Sequence, residues 1–280
     1  MTARIITDSC SDITQDEAKR LGIIVVPAYV HFGDKSFRDG VDMSCDEFYD
    51  KLLTSPVHPS TAAPSPGEFA KVYEQAAQET HEIVSIHVTS KHSAMYDSAL
   101  AGKEMVEKKG CQIEVIDSKG VTMWQGLVVM AAAQAAHNGY TLRQIVKKTY
   151  DTIDRLHALA LLDTFKYAVK GGRLGKAVSA VESFLNVKPL IALRDGEVVP
   201  VGMARSRCKG LSRLREFLQS KRQAENIAIV HSTTADEARS LADFARSVFP
   251  NIMPLISRLG PALGVHGGPG AIAAIVQEAT

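Results

Sequence analysis

The chain has 280 residues, of which 45% are hydrophobic and 22% charged, a composition typical of a globular protein with about two domains. Its formal net charge of +1 gives no support for a nucleic-acid partner or for an anionic membrane surface. The 4 cysteines form no CxxC pair and no apolar run reaches the ~18 residues of a membrane span, so we expect reduced thiols, no zinc site, no stable membrane insertion and a cytoplasmic location.

Up to about residue 160, predicted strands and helices alternate, which is the pattern of an α/β domain with a mainly parallel sheet flanked by helices. Ser65 and Glu68 predict a capping box, with Pro66 at the first position of the helix. Pro27 marks a break in a strand-like run, and "GDKSFRDG" predicts a turn. Strands are predicted in "RIITDS", "IIVVPAYVHF", "EIVSIHVTS" and "IEVIDS", and helices in "DITQDEAKRLG", "SCDEFYDKLLTS", "SAMYDSALAGKEMVEKK", "GLVVMAAAQAAHNG" and "TLRQIVKKTYDTIDRLH".

The second half predicts a C-terminal α/β domain with a mixed sheet. Asp195 and Gly196 lie between two apolar runs, which is a strong hairpin signal. The last helix is predicted to follow the glycine-rich segment "LGVHGGPG". We place the domain boundary near residue 160, which gives domains of residues 1–160 and 161–280. Further strands are predicted in "HALALLD", "NIAIVHS" and "IMPLISRLG", and helices in "FKYAVKGGRLGKAVSAVESFLN", "LSRLREFLQSK" and "ADEARSLADFARSVF".

Two hydroxyl groups are candidate binding groups. Ser93 lies where a predicted strand ends and a helix begins, which is typical of an N-cap. The same helix N-terminus would suit an anion such as a carboxylate, and loops after the strands of open α/β sheets commonly bind ligands. Thr61 precedes its helix in a loop too rich in Pro and Ala to be regular, so its hydroxyl is either solvated or a binding group.

The third candidate, His266, lies in "LGVHGGPG", which is neither a P-loop nor a Rossmann fingerprint. Its glycines let the backbone take φ > 0 or approach a ligand closely. The imidazole either faces water in a turn, or donates a hydrogen bond, or as imidazolium holds a carboxylate. Arg173 in "KGGRLGK" and Arg205 in "ARSRCKG" belong either to a solvated face or to an anion-binding or partner-docking surface.

Taken together, these segments resemble the DegV family over essentially the whole chain. The resemblance implies a two-domain DegV-like α/β fold that encloses one long-chain fatty acid such as palmitate, with its carboxylate at the domain junction. It also implies that a separate ATP-dependent fatty acid kinase converts the presented acid to an acyl phosphate. By this resemblance Thr61, Ser93 and His266 map onto the carboxylate-binding positions. Arg173 and Arg205 map onto the surface that meets the kinase. The resemblance rests on "IITDSCSDI", "STAAPSPGEF", "SKHSAMYDSA", "KGGRLG", "ARSRCKG" and "GVHGGPGA" in this order.

We therefore expect a lipid-binding carrier with no catalytic residue, metal or cofactor of its own, but two alternatives stay open. A serine hydrolase or acyltransferase would use Ser93 and His266, although the sequence has no GxSxG elbow and identifies no orienting carboxylate. A phosphate- or nucleotide-binding regulator would use the glycine-rich segment and Arg173. In the carrier, the apolar segments 126–136 and 178–190 belong either to the tunnel lining or to the core, which the sequence does not distinguish.

Overall fold

The computed structural model describes residues 3–106, 110–173 and 187–279, and confirms the predicted α/β class. Residues 174–186 of the predicted helical segment after Gly172 lie outside these ranges. The strands are β1 (Arg4–Asp8), β2 (Ile24–Val26), β3 (Tyr29–Phe32), β4 (Lys35–Arg38), β5 (Ser60–Ala62), β6 (Glu82–His87), β7 (Gln112–Asp117), β8 (Leu156–Leu161), β9 (Lys188–Arg194), β10 (Glu197–Ala204), β11 (Ala224–His231), β12 (Leu255–Arg258) and β13 (Ile272–Glu278). The helices are α1 (Gln15–Leu21), α2 (Cys45–Thr54), α3 (Pro66–Ala76), α4 (Met95–Val106), α5 (Met123–His137), α6 (Leu142–Ile153), α7 (Lys166–Lys170), α8 (Arg207–Gln219), α9 (Ala235–Val248) and α10 (Pro261–Gly267).

The first half of the chain forms a parallel sheet with the strand order β2-β1-β6-β7. Strands β1 and β6 are buried over nearly their whole length, as expected for parallel strands that are covered on both faces. Because ligands of open α/β sheets bind beyond the carboxyl ends of the strands, the loops that follow β1 and β6 lie at the place where a site is expected.

The second half forms a mixed sheet with the order β10-β9-β8-β13-β11-β12. Its β11–β12 pair is parallel, and the other pairs are antiparallel. The turn between β9 and β10 consists of Asp195 and Gly196, whose φ angles are 50° and 84°. Positive φ at both central residues is the type I′ geometry that an Asp-Gly pair favours, so the predicted hairpin is confirmed.

Two local predictions in the first half are wrong. The segment "GDKSFRDG", predicted as a turn, contains strand β4, which pairs antiparallel with β3 and leaves only Gly33 and Asp34 in the turn. Thr61, predicted in an irregular loop, lies in strand β5 and pairs with Val30 of β3. In both places pairing with a neighbouring strand outweighs a weak local preference.

The end of the chain also differs from the sequence prediction. The predicted last helix after the glycine-rich segment is absent from the described residues there, because Ile272–Glu278 form β13, an inner strand of the mixed sheet. Helix α10 instead comes earlier and contains His266 in its last turn. Gly268 and Gly270 follow with φ angles of 70° and 79°, a conformation that only glycine adopts at little cost, and they lead the chain from the helix into the strand.

Helix α5 is buried between the two sheets. It packs against β1 and β6 on one side and against β8, β11 and β13 on the other. One apolar cluster therefore contains Val84 and Ile86 of the parallel sheet together with Val230 and Ile275 of the mixed sheet. The strands of the parallel sheet all precede residue 118 and those of the mixed sheet all follow residue 155, and the domain boundary near residue 160 stays a prediction.

Helix α10 packs so closely on α2 that Gly264 leaves no room for a side chain. A Cβ at this position would lie 2.5 Å from Phe48 Cε1 and 2.8 Å from Tyr49 Oη. Because both rings are buried, we expect Gly264→Ala to lower the free energy of unfolding by about 1–3 kcal/mol, measured by urea denaturation. Gly67→Ala in α3 is the control, since the nearest atom to its added Cβ, Ser65 Oγ, is 4.0 Å away. Equal losses in the two variants would contradict this account.

Candidate functional site

A cavity of about 680 Å³ is lined by strands of the mixed sheet and by the loops that follow the strands of the parallel sheet. This volume falls in the roughly 300–1,000 Å³ range of small-molecule sites. Most of the wall is apolar, so the cavity suits a ligand with a large hydrocarbon part. The apolar wall includes Ala28, Val88, Met95, Val121, Leu162, Ile191, Val230, Leu259, Leu263 and Ala273.

The two apolar segments considered for the tunnel lining do not form the cavity wall within the described residues. Residues 126–136 belong to α5, which is buried in the core, and none of them lines the cavity. Residues 178–186 of the second segment lie outside the described residues, and Leu190 packs into the core under the mixed sheet. A long apolar run identifies buried sequence but does not distinguish a cavity wall from solid core.

Four of the five predicted site residues meet at one polar end of this cavity. Thr61, Ser93, Arg173 and His266 all line it, although Thr61 and His266 are 205 positions apart in the chain. Arg205 is exposed, directly after β10, and does not line the cavity. The cavity therefore has an apolar body and one end at which hydroxyl, imidazole and guanidinium groups converge.

The His266 side chain is held between Thr61 and a glycine. Its Nε2 lies 3.3 Å from Thr61 Oγ1, so strand β5 and helix α10 meet at this contact. On the other edge of the ring, a Cβ at Gly171 would lie only 2.0 Å from Nδ1. Only glycine fits at residue 171 without displacing the imidazole, so the segment after α7 fixes the ring from behind.

Burial foremost, and then the positive charge of Arg173 and the interactions with His58 and His92, lower the pKa of His266 to about 3. The imidazole is therefore neutral at physiological pH. Its Nδ1 is buried and has no hydrogen-bond partner among the described residues. A neutral ring with its hydrogen on Nε2 has one N–H to donate, on the edge that faces Thr61.

Ser93 lies two residues before the first residue of helix α4. Its Oγ accepts a hydrogen bond from Met95 N at 3.2 Å, so the predicted capping role is present at the start of the helix. The hydroxyl hydrogen is not used in this contact and is available to an oxygen in the cavity. The hydrogen bonds of the described residues do not pair Ser93 with His266, whose Nε2 contacts Thr61 instead.

Arg173 is partly buried beside the polar end. Its Nε donates to the carbonyl oxygen of His92 at 3.3 Å and its Nη1 to that of Gly171 at 2.8 Å. Within the described parts of the chain, no carboxylate pairs with this guanidinium. Its charge favours an anionic ligand group, because the one carboxylate among the described lining residues, Glu68, already accepts hydrogen bonds from Tyr29 and Ser65.

Sequence reasoning missed the groups that anchor helix α10. Gly260 N donates to Asp12 Oδ1 at 2.9 Å, and the backbone N–H of Ala262 hydrogen-bonds to Asp39. Burial raises the pKa of Asp39 to about 6, although its hydrogen bonds to Ser9 and Ala262 act in the opposite direction. Both carboxylates cap a helix that begins more than two hundred residues later, so no local pattern could reveal them.

A buried chain of hydrogen bonds resembles a catalytic triad but lies away from the cavity. Asp8 Oδ2 is 2.9 Å from His87 Nδ1, and His87 Nε2 is 2.7 Å from Ser85 Oγ. Tyr73 Oη donates to the same serine oxygen at 3.0 Å. All four side chains are fully buried and none lines the cavity, so this network braces the ends of β1 and β6 and cannot receive a substrate.

The parts of the chain that the structure describes contain no group of three or more side chains placed to hold a metal ion. In the same residues, no helix combines the length and the apolar character needed to cross a membrane.

Comparisons with known proteins agree with this architecture. The profile described as "Uncharacterised protein, DegV family" matches residues 2–279. A DegV domain-containing protein of Caldanaerobacter subterraneus is 33% identical over 277 residues, or 98% of each chain. Among solved structures, the fatty acid binding protein DegV of Bacillus subtilis superposes with a TM-score of 0.92 at 26% identity over 100% of both chains. A stearic acid-binding protein of Eubacterium ventriosum gives a TM-score of 0.88 at 25% identity over 98% of both chains.

The fold and the site thus define an α/β protein with a parallel and a mixed sheet and a largely apolar internal cavity. Since the family profile spans nearly the whole chain and the relatives align over their full length, the chain belongs to the DegV family.

The lowered pKa of His266 predicts a pH dependence of stability. Because a pKa of about 3 lies below the ordinary histidine value of 6.5, the unfolded chain binds the proton more readily than the folded protein. This contribution to stability is therefore complete above pH 6.5 and is lost as the pH falls from 6.5 toward 3. We expect this group to lower the free energy of unfolding by at most about 1.4 kcal/mol per pH unit in that window.

Urea denaturation of wild type and His266→Gln across this window measures the effect, which should be smaller in the variant. His137→Gln, at the exposed end of α5, is the control and should keep the wild-type slope. Parallel profiles for wild type and His266→Gln would contradict the lowered pKa.

Proposed function

We propose that the protein binds one long-chain fatty acid, with the acyl chain against the apolar wall and the carboxylate at Thr61, Ser93 and His266. The observation that carries this proposal is that these donors, from three separate segments of the chain, line one cavity whose wall is mostly apolar. The likeness to the fatty acid binding protein of Bacillus subtilis and the stearic acid-binding protein of Eubacterium ventriosum supports it.

In this proposal the acyl chain supplies most of the affinity. Each buried CH₂ contributes about 0.8 kcal/mol, so a sixteen-carbon chain such as that of palmitate contributes roughly 10 kcal/mol before ordering costs. The carboxylate contributes orientation, because burying it is costly unless hydrogen bonds and nearby positive charge compensate. Thr61, Ser93 and His266 supply the hydrogen bonds and Arg173 the charge.

The bound carboxylate also changes the electrostatics of His266. A negative charge beside the ring favours the imidazolium, so binding raises its pKa from the low value set by burial.

The second part of the proposal is that the protein acts as a cytoplasmic carrier and presents the acid to a separate ATP-dependent fatty acid kinase. A carboxylate oxygen attacks the γ-phosphorus of ATP on the kinase, the bond to ADP breaks, and an acyl phosphate forms. Arg173, at the cavity, and Arg205, exposed after β10, form the proposed docking surface. The hydrolase alternative is weaker, because Ser93 has no base within hydrogen-bond reach among the described residues.

Purified protein is expected to carry about one fatty acid per chain, because the cavity matches a single long-chain ligand. Organic extraction and mass spectrometry measure the bound lipid, and uptake of palmitate or oleate measures free capacity. A protein that yields no fatty acid and takes up neither acid would contradict the proposal.

His266→Ala is expected to weaken palmitate binding about tenfold to a hundredfold, because a hydrogen bond to a charged group is worth about 1.5–3 kcal/mol. Ser93→Ala should cost less, since its hydroxyl is one donor among several. Isothermal titration measures both, with His137→Ala as the control histidine variant. Equal affinities for wild type and His266→Ala would remove this residue from the site.

Arg173→Ala and Arg205→Ala are expected to slow acyl-phosphate formation with the kinase more than they weaken fatty-acid binding. Charges at the rim of an interface mainly change the association rate and its salt dependence. Arg246→Ala, exposed near the end of α9, is the matched control. Equal losses of acid binding and of phosphoryl transfer in both variants would contradict a role of these residues in docking.

A further inference from the structure

The loop between β6 and α4 is tied to the second half of the chain by three hydrogen bonds. Thr89 Oγ1 donates to the carbonyl oxygen of Gly196 at 2.9 Å, in the turn of the β9–β10 hairpin. Val198 N, in strand β10, donates to His92 Nε2 at 2.9 Å. Arg173 Nε donates to the carbonyl oxygen of His92 at 3.3 Å. Two of these three contacts therefore fall on one residue.

His92 is the residue before Ser93, and it lines the cavity. The hairpin binds its ring and Arg173 binds its carbonyl oxygen. Both the side chain and the backbone of His92 are therefore held by the second half of the chain. The backbone position of Ser93 follows from that of its neighbour, and with it the direction of the Ser93 hydroxyl. The hairpin therefore helps to set the position of Ser93 through His92.

The contact with Val198 also fixes the chemical state of the ring. An imidazole that accepts a hydrogen bond at Nε2 is neutral and carries its hydrogen on Nδ1. Burial and the charge of Arg173 lower the pKa of His92, whereas the carboxylate of Glu197 acts in the opposite direction. His266, which interacts electrostatically with His92, is also neutral at physiological pH.

We propose that His92 is a positioning residue for the ligand head group, which holds the Ser93 hydroxyl in place by accepting the hydrogen bond of the β9–β10 hairpin through its ring. The inference rests on the proposed fatty-acid site. Without the acceptor, the Val198 N–H loses its partner, and among the described residues the hydrogen bonds from this loop to the second half of the chain are then those of Thr89 with Gly196 and of His92 with Arg173. The acyl-chain wall on the far side of the cavity is unaffected.

Two variants test this role. His92→Leu keeps the bulk of the side chain and removes the acceptor, whereas His92→Gln keeps an acceptor oxygen near the position of Nε2. Affinities are measured for palmitate and for methyl palmitate, which shares the acyl chain but lacks the charged head group. We expect His92→Leu to bind palmitate about three- to tenfold more weakly, the effect of one lost hydrogen bond, and methyl palmitate as wild type does. His92→Gln should restore most of the palmitate affinity.

Other outcomes would overturn the assignment. Unchanged palmitate affinity in His92→Leu, or an equal loss for both ligands, would show that the side chain only fills space. Failure of His92→Gln to restore binding would show that the acceptor is not what matters. His137→Leu, at the exposed end of α5, controls for the loss of a histidine, and urea denaturation of each variant confirms that it is folded.

A measurement without ligand separates this inference from the proposed function. ¹⁵N NMR of the imidazoles should show His92 as the Nδ1–H tautomer, and amide exchange at Val198 should be faster in His92→Leu. An Nε2–H tautomer would overturn the hydrogen bond on which the inference depends. A wild type that binds neither palmitate nor its ester would instead contradict the proposed function, whatever the tautomer of His92.

Discussion

The polar end of the cavity depends on how helix α10 is held in place. A helix of 7 residues is not stable alone in water, so its position comes from its surroundings. Asp12 and Asp39 cap its first turn, and Tyr49 Oη donates to the carbonyl oxygen of Leu259 just before it, at 3.0 Å. These anchors belong to the first half of the chain, whereas β13, which follows α10, belongs to the mixed sheet. The helix that carries His266 therefore joins the two halves at the cavity.

In this arrangement the neutral imidazole of His266 and the charged guanidinium of Arg173 are held close together at the cavity by the surrounding protein. Rigid donors that are already in place need no reorganisation when an anion arrives, which lowers the cost of burying it. Glu68 also lines the cavity, but its oxygens accept hydrogen bonds from Tyr29 and from Ser65, so its charge is engaged in capping α3. The polar end is thus electrostatically prepared for an anion and not for a cation.

Local signals in the sequence identified the elements whose stability is local. The capping box of Ser65 and Glu68 and the hairpin at Asp195 and Gly196 have the structures that their sequences favour. Strand β5 was missed because its regularity comes from pairing with β3, more than thirty residues earlier. Helix α10 was missed because its glycines give it little intrinsic helix propensity, so packing and long-range caps stabilise it.

The candidate site divides in the same way. Ser93 was found from its place at the start of a helix, and His266 from the unusual glycine content around it. Sequence patterns did not distinguish Thr61 from any other hydroxyl group in a loop, and only the family resemblance identified it as a candidate. No sequence pattern indicated a role for His92, because its partners Arg173 and Val198 lie 81 and 106 residues away in the chain.

The cysteine in the cavity wall has a consequence for the chemical durability of the protein. Cys10 is 6% exposed and lines the cavity, and burial raises the pKa of its thiol well above the ordinary value, with the neighbouring carboxylates, Asp8 foremost, adding to the effect. Because the thiolate is the reactive form, a thiol kept protonated in this way is a poor nucleophile. In the proposed fatty-acid complex, the Cys10 thiol would therefore react slowly with electrophilic groups on an oxidised acyl chain. The cavity wall would then keep its apolar character under oxidative conditions.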